Sequence, residues 1–216
     1  MPKIVDHDER REEVAGAVWR AIARDGIEGA TIRGVAATAG CSTGVVSHYF
    51  RDKDELLVFA LRLAHRRAAR RMMAALAKQP PLQGLRSVLH EALPLDTERC
   101  LEWRIWVSFW GRAVGHARLL AEHHQRNEEW RRLILALLRR AQRDGSLTIP
   151  DSVEAAADAL LALVDGIGIR ATLEPTTLPP ARQLDLVEAH MNRLSANRQR
   201  RVAIKESTVE KLKRRK

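Results

Sequence analysis

The chain has 216 residues, 45% of them hydrophobic and only 4% aromatic, and carries a net charge of +10. That length can bury a sizeable core, the Ala- and Arg-rich composition favours helix over sheet, and no run approaches the roughly 18 uncharged apolar residues of a membrane span. The opening MPKIVDHDERREE has no apolar segment of the signal-peptide kind, and Cys41 and Cys100 are too far apart for a metal spacing, so reduced thiols in a cytoplasmic protein are expected.

In chain order, Asp6 and Glu9 have the spacing of a capping box before the periodic run Val14, Ala17, Val18, Ala21 and Ile22. This predicts a first amphipathic helix ending near Asp25-Gly26, followed by a loop, GIEGATI. Thr31 is set to cap a short second helix whose inner face is Ile32, Val35 and Ala36, with Gly40 ending it. Ser42 is expected to cap a third helix, Thr43 to Tyr49, and Asp52 with Glu55 to open a long fourth one running towards Lys78. Leu56, Ala60, Leu63, Ala64 and Ala68 keep helical spacing there, while Arg62, Arg66 and Arg70 share another face.

After a break at Gln79–Pro81, helical periods predict segments at 82–93, 98–115, 119–143, 153–173 and 182–194, the fourth of these opened by an Asp151/Glu154 box. No strand pattern or repeat is visible, so the fold class is all-α. The boundaries read as 1–52 for an N-terminal three-helix head, 53–78 for a connecting helix, 79–196 for a larger helical domain and 197–216 for a basic tail without regular structure. Residues 1–78 hold 14 Lys/Arg against 10 Asp/Glu, residues 79–196 hold 14 against 15, and residues 197–216 hold 9 against 2. The basic excess sits at the two ends, as polyanion binding requires.

Two short helices joined by the turn Gly40-Cys41-Ser42 form a helix-turn-helix pattern, whose second helix enters a major groove. Gly44 and Ser47 are small enough for close approach, Thr43 and His48 bring hydrogen-bonding groups, and Val45 suits a thymine methyl. Tyr49 and Lys53 suit phosphates. Val46 and Phe50 are expected to face inward, with Val35, Ala36 and Leu57. A two-turn reader covers only a few base pairs, so a homodimer on a palindromic duplex is expected, with the Ala- and Gly-rich 153–173 helix and the 182–194 helix as its interface.

The stretch ATIRGVAATAGCSTGVVSHYFRDKDELL resembles the DNA-binding head of the TetR family of transcriptional regulators. STGVVSHYFRDK, WVSFW and ALVDGIGIRATL are similar to the betaine-pathway repressor (BetI) subgroup of that family. The resemblance implies about nine helices, a homodimer, and repression of a DNA operator relieved by a small-molecule effector. It implies DNA contacts at Thr31, Arg33, Thr43, Gly44, Ser47, His48, Tyr49 and Lys53. Cys41, where the pattern usually has Val, Gly34 inside the second helix, and the basic tail after Asn197 depart from it.

Trp103, Trp106 and Trp110, with Phe109 beside them, form a stripe along one predicted helix. Such a stripe serves either as core or as a box for a cation, since indole faces attract quaternary ammonium groups. Asp165 or Glu102 could complete a cation site, and the resemblance suggests choline. No catalytic motif is present, and His123-His124 point in different directions on a helix, so neither an enzyme, a cofactor nor a metal site is expected. Two other readings stay open: an architectural protein binding DNA without sequence preference, and a redox sensor working through Cys41.

Overall fold

Nine helices make up the regular structure of residues 7–149 and 152–194, the part of the chain that a computed structural model describes. They are α1 (His7–Gly29), α2 (Ile32–Ala39), α3 (Thr43–Tyr49), α4 (Lys53–Leu76), α5 (Pro81–Glu91), α6 (Thr97–Ala113), α7 (Ala117–Arg143), α8 (Val153–Leu173) and α9 (180–194). There is no strand among the described residues. The expected start at Asp6, the Asp151 cap and the basic tail lie outside them.

The punctuation is local chemistry. Thr31 caps α2 by accepting the Gly34 N–H at 3.1 Å. Gly40 closes α2 at φ 64°, a left-handed value that a side chain would strain. Asp52 accepts the Glu55 N–H at 2.8 Å, and the Glu55 carboxylate reaches back to the Arg51 N–H at 2.8 Å, so α4 opens on a reciprocal cap.

Three expectations need correction. Ser42 stands at the α3 N-cap, but its side chain makes no capping bond. The helical turn resumes beyond Gly26, whose φ of 70° kinks the chain, so residues 27–29 belong to α1 and not to a loop. Ser152 caps α8, accepting the Ala155 N–H at 2.9 Å. A hydroxyl one residue on does what the Asp151 box was expected to do.

By packing, the chain divides into two compact units. Among the described residues, the first comprises 7–69 and 97–126, the second 70–96, 127–149 and 152–194. In the first, α1 packs on α2 and on α6. Its core joins Val18 and Ile22 of α1, Val35 and Ala36 of α2, Val46 and Phe50 around α3, and Leu56 and Leu57 of α4 to Ile105, Phe109 and Ala113 of α6. Burying such side chains contributes roughly 1.5–3 kcal/mol each for the larger ones. Arg67 lies 4.2 Å above the Trp19 ring and bonds Glu98 at 2.6 Å, tying α1, α4 and α6 together.

In the second unit the buried side chains include Leu85, Leu89, Ile134, Leu138, Leu160, Val164, Val187 and Met191. Gln183, also buried, donates to the Leu178 carbonyl at 3.0 Å. Helix α8 is apolar nearly all round, yet only part of it is covered. Ala156, Leu160, Val164, Gly168 and Ala171 are buried, whereas Ala155, Ala159, Ala162, Gly166 and Leu173 are exposed along another stripe.

Candidate nucleic-acid interface

Helix α3 spends one side on the core and leaves the other in solvent. Val46 is fully buried and Phe50 nearly so, and the Phe50 N–H bonds the Val46 carbonyl at 2.9 Å to finish the helix. That anchorage turns Thr43, Gly44, Ser47 and His48 outward, all exposed. Tyr49 is half-buried, its ring 5.4 Å from that of His48 in an edge-on arrangement. Val45 is half-buried as well.

The flanking candidates lie at the ends of the neighbouring helices. Thr31 and Arg33 are exposed at the start of α2. The Thr31 oxygen accepts the Gly34 N–H, which leaves its O–H to donate outward. Lys53 is half-buried at the first position of α4. Arg51, which sequence reasoning passed over, is exposed in the turn between α3 and α4; the signal was the RDK run itself. The acidic groups of the first turn of α4 are drawn elsewhere: Asp54 bonds Arg112 at 2.8 Å and His116 at 3.2 Å, and Glu55 bonds Arg118 at 3.3 Å. Two carboxylates near the head are thus paired with arginines of α6 and α7.

The indole stripe lies in the same unit. Trp103 is buried and its ring meets those of Trp106 and Trp110 edge-on at 5.0 and 5.9 Å. Trp106 and Trp110 are half-buried, and each has a histidine neighbour: His65 at 5.7 Å from Trp106 and His123 at 6.1 Å from Trp110. Burial, with Arg126 adding to it, pushes His65 down to about 4, and burial lowers His123 too. At neutral pH His65 is therefore uncharged. The buried Trp106 Nε1 has no hydrogen-bond partner in the structure, an unusual state for a buried donor. Glu102 is buried on the same helix. Asp165 belongs to α8 in the second unit, where burial raises its carboxyl to about 6. Among the described residues there is no group of three or more His, Cys, Asp or Glu side chains able to hold a metal. Cys41 is half-buried against the head core, and neither cysteine is in a disulfide.

Comparison with known proteins gives two family matches. Residues 17–60 match the N-terminal domain of bacterial regulatory proteins of the tetR family, and residues 81–196 match the C-terminal domain of BetI-type transcriptional repressors. The transcriptional regulator PksA of Bacillus subtilis is 31% identical over 88% of this chain and 92% of its own length. The regulator BetI of Burkholderia mallei is 32% identical over 92% of this chain and its whole length. Among solved structures, a transcriptional regulator from Rhodococcus aligns at a TM-score of 0.74 with 30% identity, covering 85% of this chain and 94% of that one. A regulator from Saccharomonospora viridis, solved in complex with choline, aligns at 0.78 with 22% identity over 87% and 97% of the two chains, a likeness of fold.

Proposed function

Because the chain belongs to the TetR family of transcriptional regulators and carries a BetI-type C-terminal domain, we propose that it represses transcription as a homodimer on a palindromic operator and is released by a small cationic effector. The observation that carries the DNA half is the split of α3: Val46 locked in the core, with Thr43, Gly44, Ser47 and His48 in solvent. In this reading those four side chains meet base edges, while Thr31, Arg33, Tyr49, Lys53 and the added Arg51 hold phosphates. Two such heads about 34 Å apart read successive turns of one duplex face. The exposed stripe Ala155, Ala159, Ala162 and Gly166 on α8, with α9 beside it in sequence, supplies the dimer contact, because small residues permit close helix approach.

The effector reading rests on the indole cluster alone. The half-buried Trp106 and Trp110, backed by the buried Trp103, offer π faces for a quaternary ammonium group such as choline, and the unpartnered Trp106 Nε1 supports a ligand that also brings an acceptor oxygen. Neutral histidines beside the indoles remove a charge that would repel a cation. Helix α6 carries this cluster on the same rod as Ile105, Phe109 and Ala113 of the head core, which gives occupancy a direct route to the head. A differential affinity of about 1–3 kcal/mol between two head arrangements would change operator affinity about 5- to 150-fold.

The test is selection of duplexes from a random pool by the full chain, followed by titration with choline. Enrichment of a palindrome, released by choline in the parent but not in Trp106→Ala, is the expected result. Uniform binding of random duplexes would favour the architectural reading and end this one. A palindrome unaffected by choline would retain the repressor and discard the cation.

A further inference from the structure

A cavity whose lining excludes the indole cluster opens beside the recognition helix. It measures about 520 Å³, within the range of about 300–1,000 Å³ typical of small-molecule sites. None of the three stripe tryptophans lines it. Its floor is aromatic: Phe50 and Phe59 meet edge-to-face with centroids 5.0 Å apart, and Tyr49 lies alongside. Its walls hold three arginines, among them Arg62 and Arg118, against two glutamates, Glu55 and Glu122. By formal count the lining holds one more arginine than glutamate.

The pairing of those charges decides what the cavity can accept. Glu122 is held by Arg62 through two bonds of 2.9 and 2.7 Å and has Arg126 at 3.1 Å besides. Arg118 is tied more loosely, 3.3 Å from Glu55, with its side chain 57% exposed. Glu55 does not depend on Arg118, since its other oxygen accepts the Arg51 N–H at 2.8 Å. An incoming carboxylate can thus take the Arg118 guanidinium without leaving a glutamate stranded, which is the condition for exchanging one ion pair for another at little cost.

We infer that this cavity is a binding site for small aromatic carboxylates, the ring lying on Phe50 and Phe59 and the carboxylate paired with Arg118. A cation is disfavoured by the arginine walls, and a neutral ring forgoes the charged pair. Phe50 ends α3 through its bond to the Val46 carbonyl, so a ligand on this floor stiffens the reading helix from behind.

The probe is 1-naphthoate, titrated into the full chain by calorimetry, with 1-naphthalenemethanol and 1-naphthalenemethylamine as neutral and cationic matches. Binding of the carboxylate at least about fivefold tighter than either match is expected. Arg118→Gln should weaken it about fivefold or more, and Ala121→Trp, which fills the cavity from an exposed lining position, about tenfold or more. Amide exchange in residues 43–50 should slow in the bound state. Arg118 is exposed enough that its variant tests the site even if Ala121→Trp fails to fold. No binding at about 1 mM naphthoate, equal binding of the amine, or an undiminished affinity in Arg118→Gln would overturn the proposal. Choline response is not part of this readout, so the two ligand readings stand or fall separately.

Discussion

Arg62 clasps Glu122 through two hydrogen bonds, Nε to Oε1 at 2.9 Å and Nη2 to Oε2 at 2.7 Å, and so joins α4 to α7 within the first unit. Glu122 is 8% exposed, whereas the Arg62 side chain is 51% exposed. The hydrogen bond from Arg62 holds the Glu122 carboxyl below the usual carboxylate range. Arg126 stays nearby when Arg62 is removed, so the loss falls between that of a surface pair and a buried one. Arg62→Ala is expected to lower stability by about 1–2 kcal/mol in urea unfolding at pH 7. A depressed carboxyl contributes stability above its unfolded pKa and loses it as pH falls through the folded one. The variant should therefore lose less than the parent on acidification. Parallel acid profiles would show that the clasp does nothing.

His65 makes the opposite demand on protons from a paired histidine. Half-buried beside Trp106 and largely shielded from water, it is pushed down to about 4. Between that value and the ordinary 6.5 the unfolded chain takes a proton that the folded one refuses. Its contribution is therefore complete above about 6.5 and drains away as pH falls towards 4, by about 3 kcal/mol in all. His65→Phe should flatten the stability profile between pH 7 and pH 5, read by thermal unfolding across that interval. A profile as steep as the parent's would contradict the assignment.

Asp165 has the reverse sign. Burial raises its carboxyl to about 6, so the folded chain keeps a proton that the unfolded one has released above about 4. Stability is lost as pH rises through that window, and the cost is complete above it. Asp165→Asn keeps the shape without the charge and should stabilise the protein by about 1–3 kcal/mol at pH 7.5, with no gain near pH 4. A variant less stable at both pH values would show instead that the carboxylate has a charged partner.

The reading helix separates folding from recognition. Thr43 and His48 are exposed, and replacing either by Ala should move stability by no more than about 0.5 kcal/mol. Each side chain lost from a base edge should weaken the selected duplex by about 1–3 kcal/mol while leaving random duplex nearly unchanged. Val46→Ala behaves in the other way, since Val46 is fully buried and its truncation loosens the head itself, at about 1–3 kcal/mol. Competition binding with the selected and a scrambled duplex, alongside urea unfolding, separates the two. If His48→Ala fell equally on both duplexes, base reading by that residue would be wrong.

Much of this molecule is written locally. The Thr31 cap, the Gly40 stop, the Asp52–Glu55 opening of α4 and the inward turn of Val46 and Phe50 depend on residues a few positions apart, and the chain's order alone predicts them. The all-α class and the exposure of Thr43, Ser47 and His48 follow from the same periods. Other features answer to partners distant in sequence. That α6 lends Ile105 and Phe109 to the core of the head, that Arg62 finds Glu122 sixty residues on, and that His65 is stripped of its charge against Trp106 are products of packing. A helical period says which face of a helix is buried and is silent about which helix covers it. Charge is the same: sequence counts the arginines, but a guanidinium's partner and a histidine's proton depend on distance and burial, which only the folded chain settles.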